Sequence, residues 1–450
     1  MRAMDDGERL LEASKNIVKG AEDHRDLTLL EEAHPADIAG VLRQLAIPEQ
    51  VTLFRRLSPE QAADVLPELD DSALLDLVRA LEDVEVSRIL DEMPAEHAAD
   101  VVEELPTEEA EKILDLMEET KSEEVQEILE YPEHSAGRLM SPDFIAVNER
   151  STVEQAIDHI RKSISEERAF ELYVTDDHGH LVGVVPLRRL LIAHANTPVF
   201  AIRDEDVVSV HATTDQEEVA RVVAKYDLVA VPVVDERNHL VGTIAVDDVI
   251  DIVGEEASED IFRMAGSDAA ELERRSPRQI ALMRLPWVLL TLVIELFAGV
   301  IIHYFDQTLS RVILLASFMP VIQAISGNTG LQSVTMVVRG LATGQVHLDR
   351  WWEPLRRQIQ TSTILGAVCG LVVGTIGLFW HSMAFGVIVA VSMFVSINLS
   401  AVAGTMFPMV SKRLGFDPAL TAGPFETAFQ DVLGITIFLS LATALLHWLA

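Results

Sequence analysis

Residues 319–340 read MPVIQAISGNTGLQSVTMVVRG. They lie inside an apolar segment of membrane length, yet a lipid-facing helix would not tolerate their composition. Gln323, Ser326, Asn328, Thr329, Gln332, Ser333 and Thr335 put seven oxygen-bearing side chains within 13 positions. Pro320 and Gly327 weaken the helix that carries them. Irregular, polar backbone persists at membrane depth only where it packs inside protein or lines a water-filled path. Inter-helix bonding by Ser and Thr accounts for two or three such residues. Seven favour a pathway.

Four more apolar segments surround this one. Segments 285–304, 309–338, 362–380, 383–410 and 425–449 are each about long enough to cross roughly 30 Å of hydrocarbon. In the third, Gly366, Gly370 and Gly374 recur every four residues on one face, a pattern for close helix contact. The loops near Arg339–Arg357 and Lys412–Arg413 carry most of the basic residues, and Arg311 stands alone on the other side. The positive-inside rule then puts the N-terminal part in the cytoplasm and, with five spans, the C-terminus outside.

The rest of the 450 residues is of another kind. The chain holds 72 acidic and 35 basic residues, a net charge of -37, while its mean hydropathy is positive. Beyond residue 280 only seven acids and eight bases occur, which leaves 65 acids and 27 bases, a net of -38, in the first 280 residues. Such a surface repels nucleic acid and attracts cations, or serves solubility in a salty habitat. The single cysteine, Cys369, excludes a disulfide framework or a zinc cluster within one chain. The first residues, MRAMDDGERLLEASKN, lack an apolar core, so no cleavable signal peptide is expected.

Residues 1–135 read as an acidic helical domain. Pro-led helix starts with an Ala-Asp nearby recur at HPADIAGVL (from His34), SPEQAADVL (from Ser58) and PAEHAADVV (from Pro94). Ser58 suits an N-cap and Pro59 the first helical position. The repetition predicts stacked short helices, a small α-solenoid. Residues 138–256 contain a duplication. VTDDHGHLVGVVPLRRLL from Val174 returns 59 residues later as VVDERNHLVGTIAVDDVI from Val233. Each copy reads strand, acidic turn, strand, helix, preceded by a capped helix at Ser151 or Thr213. This pattern resembles a tandem pair of CBS modules, 138–200 and 201–256, which pack as a pseudo-twofold pair and commonly sense ligands. Residues 257–283 read as a connecting helix leading to a transmembrane domain, 284–450.

Asp431 sits in the last apolar segment. An ionised carboxylate at mid-membrane costs at least about 2.5–3.5 kcal/mol, so it faces an interior or aqueous site. No Lys or Arg shares its helix. Either it is protonated or a cation from outside the chain neutralises it. Asn398 and Ser400 add neutral oxygens in the fourth segment. Oxygen ligands with one or two carboxylates and retained waters suit Mg2+. On the soluble side, Asp248, Asp251, Glu255 and Glu259 step by three and four and stack on one face if the helix persists. Like charges at that spacing oppose the helix unless cations bind or water screens them. Asp247, Glu256, Asp260, Asp215, Glu217 and Glu218 add to the same field.

The order of acidic helices, paired modules, connecting helix and five spans resembles the MgtE family of magnesium transporters and channels. Local matches are SGNTGLQS (326–333), VRGLATG (338–344), GFDPAL (415–420), FQDVLG (429–434), TDQEEVARVVAKYD (214–227) and VDDVIDIVGEEASEDI (246–261). The resemblance implies a homodimeric Mg2+-selective channel in the plasma (inner) membrane that mediates Mg2+ uptake. It implies a pore between protomers, with Asp431 holding hydrated Mg2+ beside Gly327 and Asn328. It further implies that intracellular Mg2+ gates the pore closed by bridging acids at or near Asp417, Asp100, Asp215, Glu217, Asp227, Asp248, Asp251, Glu255, Glu259 and Asp260, with Asp417 meeting the connecting helix.

Departures from the family pattern are Ser326, where a second Gly is frequent, Leu331 at a sometimes polar position, and Glu426, an extra carboxylate near the pore mouth. Leu187-Arg188-Arg189-Leu190 places Arg189 where nucleotide-binding members carry a ribose-contacting aspartate, which argues against ATP at the paired modules. Glu295 receives no role. The rival reading is a proton-coupled divalent-metal transporter for Co2+, Ni2+ or Mn2+ that uses Asp431 as its exchange site. A non-conducting Mg2+ sensor is a second. No His-Glu-x-x-His helix or Gly-Lys phosphate loop points to an enzyme or an ATP-driven pump.

Overall fold

The computed structural model describes residues 2–21, 23–162, 171–267 and 276–445. The chain divides into two units, 1–253 and 254–450.

In the first unit, ten helices among the described residues run from Arg2 to Leu129. Helix starts follow the local chemistry. Ser58 Oγ accepts the Gln61 N–H at 3.2 Å with Pro59 at the first helical position, and Asp70 Oδ1 accepts the Ala73 N–H at 2.9 Å. Helices two apart in the chain pack together: Pro59–Val65 on Asp83–Glu92, the latter on Thr107–Leu116, and Ala95–Glu103 on Glu119–Leu129. That pairing is solenoid-like stacking around a core of Ile38, Leu53, Leu77, Leu90 and Ile128. Arg138, buried just past these helices, pairs with Glu103 and donates to the Ile128 carbonyl at 3.3 Å.

The duplicated sequence forms two matching three-stranded sheets, β1 (Ala146–Asn148), β2 (Glu171–Thr175) and β3 (Leu181–Pro186), then β4 (Val210–His211), β5 (Ala230–Val234) and β6 (Leu240–Ala245). In each, the first pair is parallel and the second antiparallel, with a bulge at the same place, Val174/Thr175 and Val233/Val234. Helix α1 (Val153–Lys162) lies between β1 and β2, and α2 (Gln216–Tyr226) between β4 and β5.

The copies also share their turn chemistry. Gly179 (φ 86°) and Asn238 (φ 65°), again 59 positions apart, take the left-handed conformation that few other residues accept. Asp176 accepts His180 Nδ1 at 2.8 Å, and Asp235 accepts His239 Nδ1 at 2.9 Å. These bonds to imidazole hold both carboxyls down to about 2. The two imidazoles stack 4.7 Å apart across the pseudo-twofold.

Helix α3 (Val246–Met264) follows β6 without a break, so the connecting helix is continuous with the second module. Residues 268–275 of the expected connector lie outside the described set.

In the second unit, α4 (Pro277–Tyr304), α5 (Leu315–Ala342), α6 (Trp352–Trp380), α7 (Met383–Arg413) and α9 (Pro424–Ala444) are long helices, and α8 (Pro418–Ala422) is a short one before α9. Four of them, α4, α6, α7 and α9, are long and apolar enough to cross a membrane. Helix α5 is 28 residues long but too polar to meet the same measure. The expected span 309–338 is not one helix. A short helix, Asp306–Arg311, comes first, pinned to α9 by the Thr308 and Thr443 hydroxyls at 2.8 Å, and α5 starts afresh at Leu315. It then runs unbroken through Pro320 and Gly327, held in place by packing. The glycine stripe of α6 seats α7 closely: a Cβ at Gly370 would lie 2.7 Å from the Ala390 carbonyl oxygen. The end of the last segment, 446–450, lies outside the described residues.

Candidate functional site

Helices α5 and α9 line an open cavity of about 360 Å³ formed by Pro320, Gln323, Ala324, Gly327, Asn328, Leu331, Thr427 and Asp431. The spacing explains the grouping. Gln323, Gly327 and Leu331 step by four along one face of α5, and Thr427 and Asp431 do the same on α9. Gly327, with no atom within 4 Å of where a Cβ would sit, leaves backbone open to the space. At roughly 30 Å³ per water, an ion with six waters needs about 180 Å³, so the cavity admits a hydrated cation.

A second cavity, about 290 Å³, shares Leu331 and Thr427 with the first and adds Thr291, Glu295, Met264, Ala265, Gly423 and Ala428. The Glu295 carboxyl, from α4, hydrogen-bonds with that of Asp431. Sequence reasoning gave Glu295 no role. A lone carboxylate on an apolar helix was the available signal.

Several expected path residues sit elsewhere. Ser326, Thr329 and Ser333 are buried, and each hydroxyl donates to the carbonyl four residues back, at 2.7, 2.9 and 2.9 Å. Thr335 does the same at 2.8 Å. Their polarity is thus satisfied within the helix. Asn398 accepts Ser362 Oγ at 2.9 Å and Thr363 Oγ1 at 3.1 Å, so it clamps α6 to α7. Ser400 is buried, and its carbonyl accepts Gln430 Nε2 at 3.3 Å. Glu426 is also fully buried and takes a hydrogen bond from Gln430 Nε2, away from the cavity wall. Gln430 fills the space a side chain at Gly330 would need, where α5, α7 and α9 meet.

The acids expected to take part in gating are spread over separate elements. Asp100 lies on Ala95–Glu103. Asp215 caps α2 through the Glu217 N–H at 3.0 Å, Glu217 stands 3.9 Å from Arg221, and Asp227 closes the helix in the left-handed conformation. Helix α3 persists past Glu259, so Asp248, Asp251, Glu255 and Glu259 do follow one helix, with Asp260 beside them. Among the described residues, no three His, Cys, Asp or Glu side chains converge as one metal site.

At the end of α3, Arg263 Nη1 lies 2.5 Å from Asp417 Oδ2, and the same guanidinium pairs with Glu259. Burial opposes the charge, but Glu259 and Asp417 outweigh it and raise the Arg263 pKa.

A family model described as "Divalent cation transporter" matches residues 319–441, one for the MgtE intracellular N domain matches 33–134, and one for CBS domains matches 136–196 and 199–255. The magnesium transporter MgtE of Bacillus subtilis is 33% identical over 71% of this chain and 71% of its own. That of Thermus thermophilus is 33% identical over 71% and 72%.

The chain belongs to the MgtE family.

Two solved structures are similar to the soluble part. The soluble part of a magnesium transporter covers 56% of this chain and 99% of its own, with TM-score 0.50 and 29% identity. The cytosolic domain of the Mg2+ channel MgtE in complex with ATP covers 54% and 99%, with TM-score 0.51 and 33% identity. The architecture of acidic helical domain, CBS pair and helical membrane region is therefore that of an MgtE protein. Arg189 in this MgtE chain donates to the Ile202 carbonyl at 3.2 Å and faces Asp204 at 3.7 Å.

Proposed function

We propose that this MgtE protein is a Mg2+-selective channel mediating Mg2+ uptake. The observation that carries the reading is the cavity lined by Asp431, Asn328, Gln323 and Gly327. Its donors are a carboxylate, amide oxygens and a hydroxyl, with no sulfur or imidazole. That set suits a hard cation that keeps most of its waters. Glu295 adds a second carboxylate to the same path. The five long helices span the plasma membrane, the N-terminus is cytoplasmic, and two copies pair to complete the pore.

Closure follows intracellular Mg2+. The acids from Asp100 to Asp260 repel one another at low Mg2+. Hydrated Mg2+ held among them turns repulsion into attraction and shifts the population to the closed state. Spaced single carboxylates suit such outer-sphere binding better than a closed cage. At the CBS pair, Arg189 stands where a ribose-binding aspartate would be, so ATP is not expected as a ligand there.

The proton-coupled rival would use the Asp431 carboxyl, beside that of Glu295, as its exchange site.

The test is Mg2+ influx into liposomes holding the full chain or its Asp431→Asn variant. The expected result is at least about a tenfold loss in the variant, as one unit charge near an ion is worth about 1.4 kcal/mol or more. Wild-type flux should fall when Mg2+ is raised on the cytoplasmic face and should ignore an imposed pH gradient. Full flux in the variant removes Asp431 from the path, and flux that tracks the pH gradient selects the rival.

A further inference from the structure

The resemblance assigned Asp417 and Glu259 to a bridging Mg2+. The geometry between them does not fit that metal, because a cation of the chain itself stands there. The Arg263 guanidinium pairs with Glu259 and reaches Asp417 Oδ2 at 2.5 Å. The other Asp417 oxygen, Oδ1, accepts the Ala419 N–H at 2.8 Å and caps α8, while the Asp417 carbonyl accepts Ser411 Oγ at 3.2 Å. Each carboxylate oxygen thus accepts from a protein donor. A Mg2+ at this position would have to share the carboxylate with the positively charged Arg263 guanidinium.

The contact also fixes a larger object. One residue on from Arg263, Met264 packs against Val334 and Val338 of α5 and Ala419 and Ala422 of α8. A Cβ on Gly423 would meet the Met264 carbonyl oxygen at 3.0 Å and that of Arg263 at 3.1 Å, so a glycine eases the close approach. Met264 and Ala265 wall the cavity that holds Glu295 and Thr427. The end of α3 therefore seats against the start of α9, the helix that carries Asp431.

We propose that Arg263 is a tethered counter-ion that holds the end of α3 on the membrane unit without metal, so that Mg2+ tunes closure from the other acids and not from Asp417. This rests on the channel reading above. The charge count supports it. Glu259 and Asp417 with Arg263 sum to -1, and without it to -2, which restores repulsion at the contact. Arg263 is a positioning residue: it touches no permeating ion and acts through where it puts Met264 and Ala265.

The test uses the full chain in lipid, with hydrogen exchange of the backbone amides of 260–267 and Mg2+ flux measured on the same samples. In Mg2+-free buffer, Arg263→Gln should speed exchange across 260–267 by about three- to tenfold, the range for losing a partly exposed charged pair. Flux at low Mg2+ should rise by a similar factor. Added Mg2+, now able to bridge the two freed acids, should restore slow exchange in Arg263→Gln. Arg263→Lys, which keeps the charge, should stay near wild type. Asp417→Asn, which keeps the cap, should match Arg263→Gln, and the double variant should add little. Wild-type exchange in Arg263→Gln without Mg2+ overturns the proposal, as does an Arg263→Lys variant as loose as Arg263→Gln. If wild-type flux is not suppressed by Mg2+, the gating reading fails, and the exchange data still decide whether the tether exists.

Discussion

At the scale of single residues, a carboxylate in an apolar helix is defined by what it faces. Asp431 faces a cavity with Asn328 and Gly327, and Glu295 reaches it from another helix. Glu295→Gln keeps the shape and the hydrogen-bonding capacity but removes the charge. A unit charge about 6 Å from a divalent ion, at an effective dielectric near 40, is worth about 2.8 kcal/mol. Mg2+ flux should therefore drop up to about a hundredfold in Glu295→Gln while the protein stays folded. Flux equal to wild type would confine Glu295 to a structural bond.

The grouping of Gly327 and Asn328 with Asp431 was expected from the family resemblance that SGNTGLQS and FQDVLG carry, and not from spacing along either helix. The position of Glu295 was not, since proximity between α4 and α9 leaves no trace in spacing along either helix. Ser326, Thr329 and Ser333 were over-read for a related reason. A hydroxyl's polarity does not say whether it bonds the carbonyl four residues back, and here all three do.

At the scale of elements, periodicity and duplication were the reliable signals. The 59-residue repeat returned as two sheets with the same order and the same bulge, because equal sequence patterns demand equal turns. The α6 glycines read correctly as a contact stripe. Segment 309–338 read wrongly as one span, because length and apolarity cannot show the break at residues 312–314 that Thr308 and Thr443 help to fix. The stripe gives a stability prediction. In Gly370→Ala the new Cβ meets the Ala390 carbonyl oxygen at 2.7 Å, backbone that cannot swing aside. Overpacking of this kind costs about 1–3 kcal/mol. Thermal unfolding in detergent should show a lower midpoint for Gly370→Ala than for Gly299→Ala, whose added Cβ meets nothing within 4 Å. Equal midpoints would mean that α6 and α7 separate at little cost.

At the scale of the molecule, the charge is the feature to explain. The first 280 residues carry a net of -38, while the membrane part is near neutral. Two physical accounts compete. In one, the acids are a solvated surface that any salt screens equally at a given ionic strength. In the other, sets of acids on α2 and α3 bind Mg2+, and the protection depends on the ion's identity. No ready ligand cluster decides the matter, since the acids sit on separate elements among the described residues. Hydrogen exchange of the full chain in lipid, with Mg2+ or with Na+ at matched ionic strength, separates the two. Mg2+ binding predicts slower exchange around Asp215, Asp227, Asp248 and Asp251 in Mg2+ alone, lost again on chelation. Screening predicts the same exchange in both salts, spread over all the acidic helices including those far from α3 in sequence, such as His24–Glu31. The first pattern makes the acidity a Mg2+-binding device, as the proposed gating requires. The second makes it a surface property and removes these acids from the proposed gating.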